Sequence, residues 1–374
     1  MTDRDNGVAI LEALVGFETV VGTPNGALLD WVADHLGRHG VTCRRLTGPE
    51  GDRDNLFATI GDPSRPGYVL SGHVDVVPAG EAGWQGDPFR LRREGERLIG
   101  RGACDMKGFV AAVLSAVPDL VRAELDVPIH IALSYDEEAG CRGVPHLIAA
   151  LPGLCAPPLG CIVGEPTGLS PVLAHKGKAA LRVIARGRSG HSARPDLGEN
   201  AIHKLAPVLA AALAQERALR DGPRDGRFAP PVSTLQVGTI AGGRAVNIIP
   251  DAAELAIEAR AIAGQNPEAL LAPVIEAAAG CETAWLSSYP AMALAADAPL
   301  AALARRLTGR EATGAVSFGT EAGLFQAAGI PSIVCGPGDI ARAHRPEEYL
   351  TRGELGAARE MVLALGRELS ARAA

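Results

Sequence analysis

Short apolar, β-branched runs alternate with helix-like segments as far as about Lys176, the alternation breaks, and it resumes from about Ala291. Strands alternating with helices favour a sheet covered by helices on both faces. The first stretch predicts two opening helices, the second over residues 26–39 and stopped by Gly40, a good helix-ending residue. Strands are expected over 55–60 and 68–77, a helix over 106–121, a strand over 127–135, a helix over 144–150 and a short strand over 161–164. The middle stretch reads differently: strand 179–185, helix 199–217, a Gly/Pro/charged loop 221–231, strands 233–240 and 254–260, helix 267–279 and strand 283–287. That order is the split βαβ plan of a ferredoxin-like α+β domain. A strand over 331–335 and a closing helix over 352–371 complete the outer pattern. The expected architecture is an α/β domain with a mixed sheet, residues 1–176 and 291–374, interrupted by a smaller domain at 177–290. A chain of 374 residues is long enough for two such cores.

Composition narrows the function classes. A formal net charge of −7 with no basic block disfavours nucleic-acid binding. The longest apolar stretch near the middle, residues 205–214, is about half a bilayer span, so no membrane role is expected. The first five residues lack the basic-then-apolar pattern of a signal peptide. Seven scattered cysteines without CxxC spacing read as reduced thiols, and a soluble cytoplasmic protein is expected.

Acids and histidines gather at the ends of the expected strands. His73 and Asp75 are two residues apart and share one side of an extended backbone, so His73 could bind a metal while Asp75 orients it. Asp105 stands before an apolar helix, where an N-cap is the ordinary reading. Asp136-Glu137-Glu138 follows an apolar strand, as a solvated turn or as a ligand beside a general base. Glu165 follows another strand, and His344 closes the segment 336–344. Taken singly, the ordinary readings mostly win. Ligands of open α/β sheets, however, bind beyond the carboxyl ends of the strands. Converging there, Asp75, Asp105, Glu137, Glu138 and Glu165 could not all stay ionised without cations, and two divalent ions would resolve this.

His73-Val74-Asp75, Gly102-Ala103-Cys104-Asp105-Met106-Lys107-Gly108, Asp136-Glu137-Glu138 and Gly164-Glu165-Pro166-Thr167, in this order, resemble the zinc-dependent aminoacylase and carboxypeptidase-type metallohydrolases. The resemblance spans nearly the whole chain and implies a metal-dependent amidohydrolase with two divalent ions, zinc or cobalt. It implies one metal on His73, Asp105 and Glu165 and another on Asp105, Glu138 and His344, with Glu137 as general base and Asp75 supporting His73. It further implies that His191, in Ser189-Gly190-His191-Ser192, polarises the scissile carbonyl in the partner subunit's active site, and hence that the inserted domain is a dimerisation or lid domain forming a homodimer through residues 177–290. Asn247, within 242–247, and Arg260 look like binders of a substrate carboxylate, for which an arginine fork is well suited. The segment 317–325, with 335–338 and 343–350, resembles the acetylornithine deacetylase branch and adds Gly319, Thr320 and Glu321 as substrate-binding candidates, Glu321 as a partner for a substrate amine. A desuccinylase, a dipeptidase or a non-catalytic metal- or ligand-binding homologue are the alternatives. Cys104 stands where relatives usually carry Ser or Thr and is expected to fill space.

Overall fold

The computed structural model describes residues 3–370. Their packing divides the chain into two units. The first comprises residues up to Leu173, Leu294–Gly314 and the residues from Thr320 onward; the second comprises Ala174–Ala293 and Ala315–Gly319. Residues 315–319 depart from expectation. They join the second unit because Val316 bridges to His175 and its N–H donates to the Ala174 carbonyl at 3.0 Å.

The main elements, in chain order, are α1 (Asp3–Val15), α2 (Gly26–Arg38), β1 (Cys43–Thr47), β2 (Asp54–Ile60), β3 (Tyr68–His73), α3 (Lys107–Arg122), β4 (Ile129–Ser134), α4 (Val144–Ala150), β5 (Gly160–Pro166), β6 (Gly177–Arg186), α5 (Ala201–Arg220), β7 (Thr234–Gly242), β8 (Ala252–Ala261), α6 (Ala272–Ala277), β9 (Glu282–Tyr289), α7 (Pro299–Thr308), α8 (Ala322–Ala327), β10 (Ser332–Gly336) and α9 (Arg352–Leu369). The strands β1, Arg92–Glu94 and Arg97–Ile99 and the helices α7 and α8 are additions to the sequence expectation. The helix expected over 267–279 breaks into a 3-10 turn, Ala269–Leu271, and α6. Pro273 has no N–H to continue the first turn, so the helix starts afresh there. Of the closing helix expected to residue 371, α9 accounts for Arg352–Leu369, and Ala371 lies outside the described residues.

The first unit holds a mixed six-stranded sheet in the order β1-β2-β4-β3-β5-β10. β3, β4, β5 and β10 are parallel, while β2 runs antiparallel to β4 and to the edge strand β1. Every residue of β4 and β5 is buried, the pattern of parallel strands covered on both faces. α3 is buried from Lys107 through Val117 and packs against α1 and α9. Gly164 permits this packing: a Cβ there would lie 2.0 Å from the Phe109 ring of α3. Parallel alignment brings His73, Ser134, Pro166 and Gly336 out at the same end of the sheet, where the candidate ligands stand.

The second unit is a four-stranded antiparallel sheet, β7-β8-β6-β9, with α5 and α6. Burial alternates along β8, the sign of a sheet with one covered face. Leu181, Val183, Leu205, Val208, Leu255, Ile257 and Val274 share its core.

His130 on β4 is fully buried, its Nδ1 paired with the Thr59 hydroxyl at 2.9 Å and its ring stacked on Phe57. Burial lowers its pKa to about 4. In the unfolded chain it protonates near pH 6.5. Stability from the neutral ring is therefore complete above about pH 6.5 and is lost as pH falls through about 4, by at most about 3 kcal/mol. Replacing His130 by leucine should flatten the decline of Tm between about pH 6.5 and 4.5. A variant with the wild-type slope would show that this ring does not limit acid stability.

Candidate metal centre

The convergent groups belong to the first unit. His73 ends β3 and is buried; its Nδ1 donates to the Asp75 carbonyl oxygen at 2.9 Å. That bond leaves the lone pair on Nε2, the atom that faces Asp105 Oδ1 at 3.2 Å and Glu165 Oε1 at 3.7 Å. Asp105 does not cap α3, whose N-cap position is Met106. Its second oxygen faces His344 Nε2 at 3.3 Å instead. One carboxylate thus stands between two imidazoles. His344 Nε2 is also 2.9 Å from Glu138 Oε1, and its ring is half exposed. Ligand-type atoms of His73, Glu137 and Glu165, and of His73, Asp105 and Glu138, lie within 4.8 Å of one another.

Electrostatics follow from this crowding. Burial pushes Glu137 and Glu165 well above the ordinary carboxylate range and also raises Glu138, with neighbouring carboxylates adding to each effect. Burial works the same way on Asp105, but hydrogen bonds from His344 and His73 overcome it and hold Asp105 below the usual range. Burial opposes charging of His73, yet Asp105 and Asp75 raise it well above 6.5. Hydrogen bonds to Asp105 and Glu138 raise His344 to about 10. A buried nest of acids with two imidazoles is stable ionised only when it is offered positive charge. The donors are imidazole nitrogen and carboxylate oxygen, which suit zinc and similar borderline divalent ions. The residues fit a pair of such ions.

Support for His73 takes a different form from the expected one. The Asp75 carbonyl holds the ring, with the nearer carboxylate oxygen 3.5 Å from Nδ1. The Asp75 carboxylate accepts the backbone N–H groups of Glu137 and Glu138, both at 3.1 Å. Asp136, with φ of 50°, is anchored by the Gly22 N–H at 2.7 Å and Arg53 at 2.6 Å. These contacts fix the turn that presents Glu137, and the Cys141 thiol donates to Glu137 Oε1 at 3.3 Å. Cys104 is buried with its thiol 3.5 Å from the Asp339 carbonyl, and burial raises its pKa. It stands in neither of the ligand groups found among the described residues.

Two of the substrate-binding candidates have their side chains turned into the protein. Thr320 is fully buried, and its hydroxyl accepts the Ala322 N–H at the start of α8. Glu321 is 1% exposed, and its carboxylate takes the hydroxyls of Ser71, at 3.2 Å, and Ser134. The chain turns this acid inward onto β3 and β4, where it meets the two serines. Burial raises it to about 7.

The remaining candidates lie in the second unit. His191 is exposed, and its Nδ1 accepts the Ala193 N–H at 3.1 Å, so a neutral ring carries its proton on Nε2 as a donor. Asn247 is exposed and its carbonyl accepts the Ser192 N–H at 3.1 Å. Arg260 donates to Glu258 at 2.6 Å and to the Tyr289 hydroxyl at 3.2 Å. Gly319 leaves room for that tyrosine, since a Cβ would lie 2.3 Å from its ring.

Sequence reading missed Arg101 and Glu348. Both side chains are 1% exposed and they pair at 2.9 Å. Glu348 Oε1 accepts the N–H groups of Cys104 at 2.9 Å and Asp105 at 3.0 Å. An arginine between two glycines was the one available signal.

Imidazoles and carboxylates converging beyond the carboxyl ends of a parallel sheet define a metal-dependent hydrolase. The model of Peptidase family M20/M25/M40 matches residues 69–368, and the chain belongs to that family, a group of metallohydrolases that includes amidohydrolases of this kind. It is 36% identical over 356 residues to an acetylornithine deacetylase of Myxococcus xanthus, covering 91% of this chain and 92% of that protein. An acetylornithine deacetylase of Pasteurella multocida is 34% identical over 351 residues, covering 90% of each. Among solved structures, an M20 family metallo-carboxypeptidase from Sulfolobus solfataricus matches with a TM-score of 0.81 at 17% identity, over 97% of this chain and 98% of that one. A dinuclear metal-binding M20 peptidase from Bacillus subtilis matches with a TM-score of 0.64 at 16% identity, over 97% of both. Among the described residues no helix is long and apolar enough to cross a membrane.

Proposed function

We propose that the chain removes the acyl group from an N-acyl amino acid, with N-acetylornithine, cleaved to ornithine and acetate, as its substrate. The observation that carries the chemistry is the position of Asp105 between His73 and His344, with Glu137 and Glu138 held by Asp75 beside it. The choice of substrate is supported by relatives named acetylornithine deacetylase at 32–36% identity over nine-tenths of the chain. His73, Asp105 and Glu165 would hold one zinc ion, and Asp105, Glu138 and His344 another. Bound there, divalent ions supply Lewis-acid polarisation of the acyl carbonyl and make water more acidic. Glu137 receives the proton of the attacking water and passes it to the leaving amine. By the family resemblance, the partner subunit's His191 would offer its Nε2–H to the acyl oxygen as negative charge develops, a contribution of about 3 kcal/mol for one well-placed donor. By the same resemblance Arg260 and Asn247 would bind the amino-acid carboxylate, with Gly319 as a further substrate-binding candidate.

Homodimer formation through the second unit is part of this reading. β7 is an edge strand with Ile240 57% exposed, and Val246 and Ile248 are exposed around a groove of about 710 Å³. Unpaired edges and contiguous apolar surface favour self-association. The place of work is the cytoplasm, in arginine biosynthesis.

Metal-loaded protein should hydrolyse N-acetylornithine faster than N-succinyl-diaminopimelate or simple dipeptides. A reversed order would move the assignment to the desuccinylase or peptidase branch. Hydrolysis of none of them would revive a non-catalytic role. The inward Glu321 adds a specific expectation. Replacing Glu321 by glutamine should leave the KM ratio of N-acetylornithine to N-acetylmethionine within about twofold of wild type. A selective rise for the ornithine substrate would restore Glu321 as its amine partner.

A further inference from the structure

We infer that the buried Arg101–Glu348 ion pair is a positioning device that sets the backbone of Asp105 and ties together the segments carrying His73, Asp105 and His344. The inference rests on the metal reading above. Residues 101–106 form turns outside any strand or helix, so the placement of Asp105 depends on what its backbone finds nearby. Its N–H and that of Cys104 converge on one oxygen of Glu348 at 3.0 and 2.9 Å. The other oxygen is held by Arg101 at 2.9 Å. The same guanidinium donates to the carbonyl of Arg345, next to His344, at 3.4 Å, and to that of Pro78, shortly after Asp75, at 3.2 Å. It also pairs with Glu81 and lies under the Trp84 ring, 5.2 Å from its centroid. A second tie joins Glu348 to the turn: its carbonyl accepts the Gly100 N–H at 2.9 Å.

Energetics favour a geometric role. A buried ion pair seldom stabilises a fold more than apolar residues of the same volume, because desolvation offsets the attraction. Charge-assisted bonds to backbone N–H groups are short and directional, and they fix a loop where an apolar contact would let it slide. Outer groups that orient ligands typically change metal affinity by about 10- to 100-fold when removed.

Cobalt titration of the full chain, read by the visible d–d absorption of the bound ion, tests this. Far-UV circular dichroism and Tm are measured alongside. Replacing Glu348 by alanine should weaken cobalt binding about 10- to 100-fold and alter the band. Replacing it by glutamine, which keeps an acceptor for the two N–H groups but loses the charge facing Arg101, should weaken binding by a smaller factor. A folded alanine variant with wild-type affinity and band overturns the inference. Should that variant not fold, a glutamine variant with lowered Tm but wild-type affinity and band overturns it equally, because the pair would then serve stability alone. A wild-type chain that takes up no cobalt removes the metal reading itself and the inference with it.

Discussion

Replacing Glu137 by glutamine is expected to leave the chain folded and loaded with metal while lowering kcat by about 10²- to 10⁴-fold, the usual yield of a positioned general base. Glutamine has the size of glutamate and keeps an oxygen to accept from Cys141, so packing should survive. It cannot accept the proton of water. Two features mark Glu137 for this work. Its backbone N–H is fixed by Asp75, and desolvation of its partly buried carboxylate, with other acids nearby, raises its proton affinity. Steady-state kinetics on N-acetylornithine, with metal content measured on the same samples, gives the comparison. Near-wild-type kcat with full metal content would remove Glu137 from the proton path.

Replacing Asp105 by alanine has a wider expected effect. Both oxygens of this carboxylate face an imidazole, His73 on one side and His344 on the other. Its loss should deprive both ions of a ligand at once and lower turnover by about 10⁴-fold or more. Replacing Glu165 should fall mainly on the ion near His73, because its contact in the cluster is with that imidazole at 3.7 Å. Metal analysis after dialysis separates the two cases. Equal retention of metal by the Asp105 and Glu165 variants would deny Asp105 its shared position.

Much of the centre is legible in the sequence because its ligands follow apolar runs. His73, Glu138 and Glu165 each close or follow a strand whose residues are buried on both faces, and parallel strands align those ends. The register from His73 to Ser134 makes the alignment concrete. The antiparallel second unit is legible for a related reason, since period-two burial along β8 distinguishes it from the continuous runs of β4 and β5. What escaped is chemistry carried by backbone groups or by residues far apart in the chain. The Asp75 carboxylate bonds to two N–H groups some sixty positions away, which no side-chain pattern encodes. Glu348 acts on Asp105 across 243 positions in the same manner. The inward turn of Glu321 is not legible either, because Ser71 and Ser134, unremarkable in isolation, provide the hydroxyls that draw it in. Residues 315–319 belong with the second unit through contacts distant in sequence, the bridge of Val316 to His175 and its N–H to Ala174.

The central claim is that Asp105 is shared by two ions held in the first unit. Anomalous diffraction from crystals of the cobalt-loaded chain addresses it directly. Two peaks about 3.5–4 Å apart are predicted, one within bonding distance of His73 and Glu165, the other of Glu138 and His344, with an Asp105 oxygen on each. A single peak, or a pair that leaves Asp105 uncoordinated, would contradict the account.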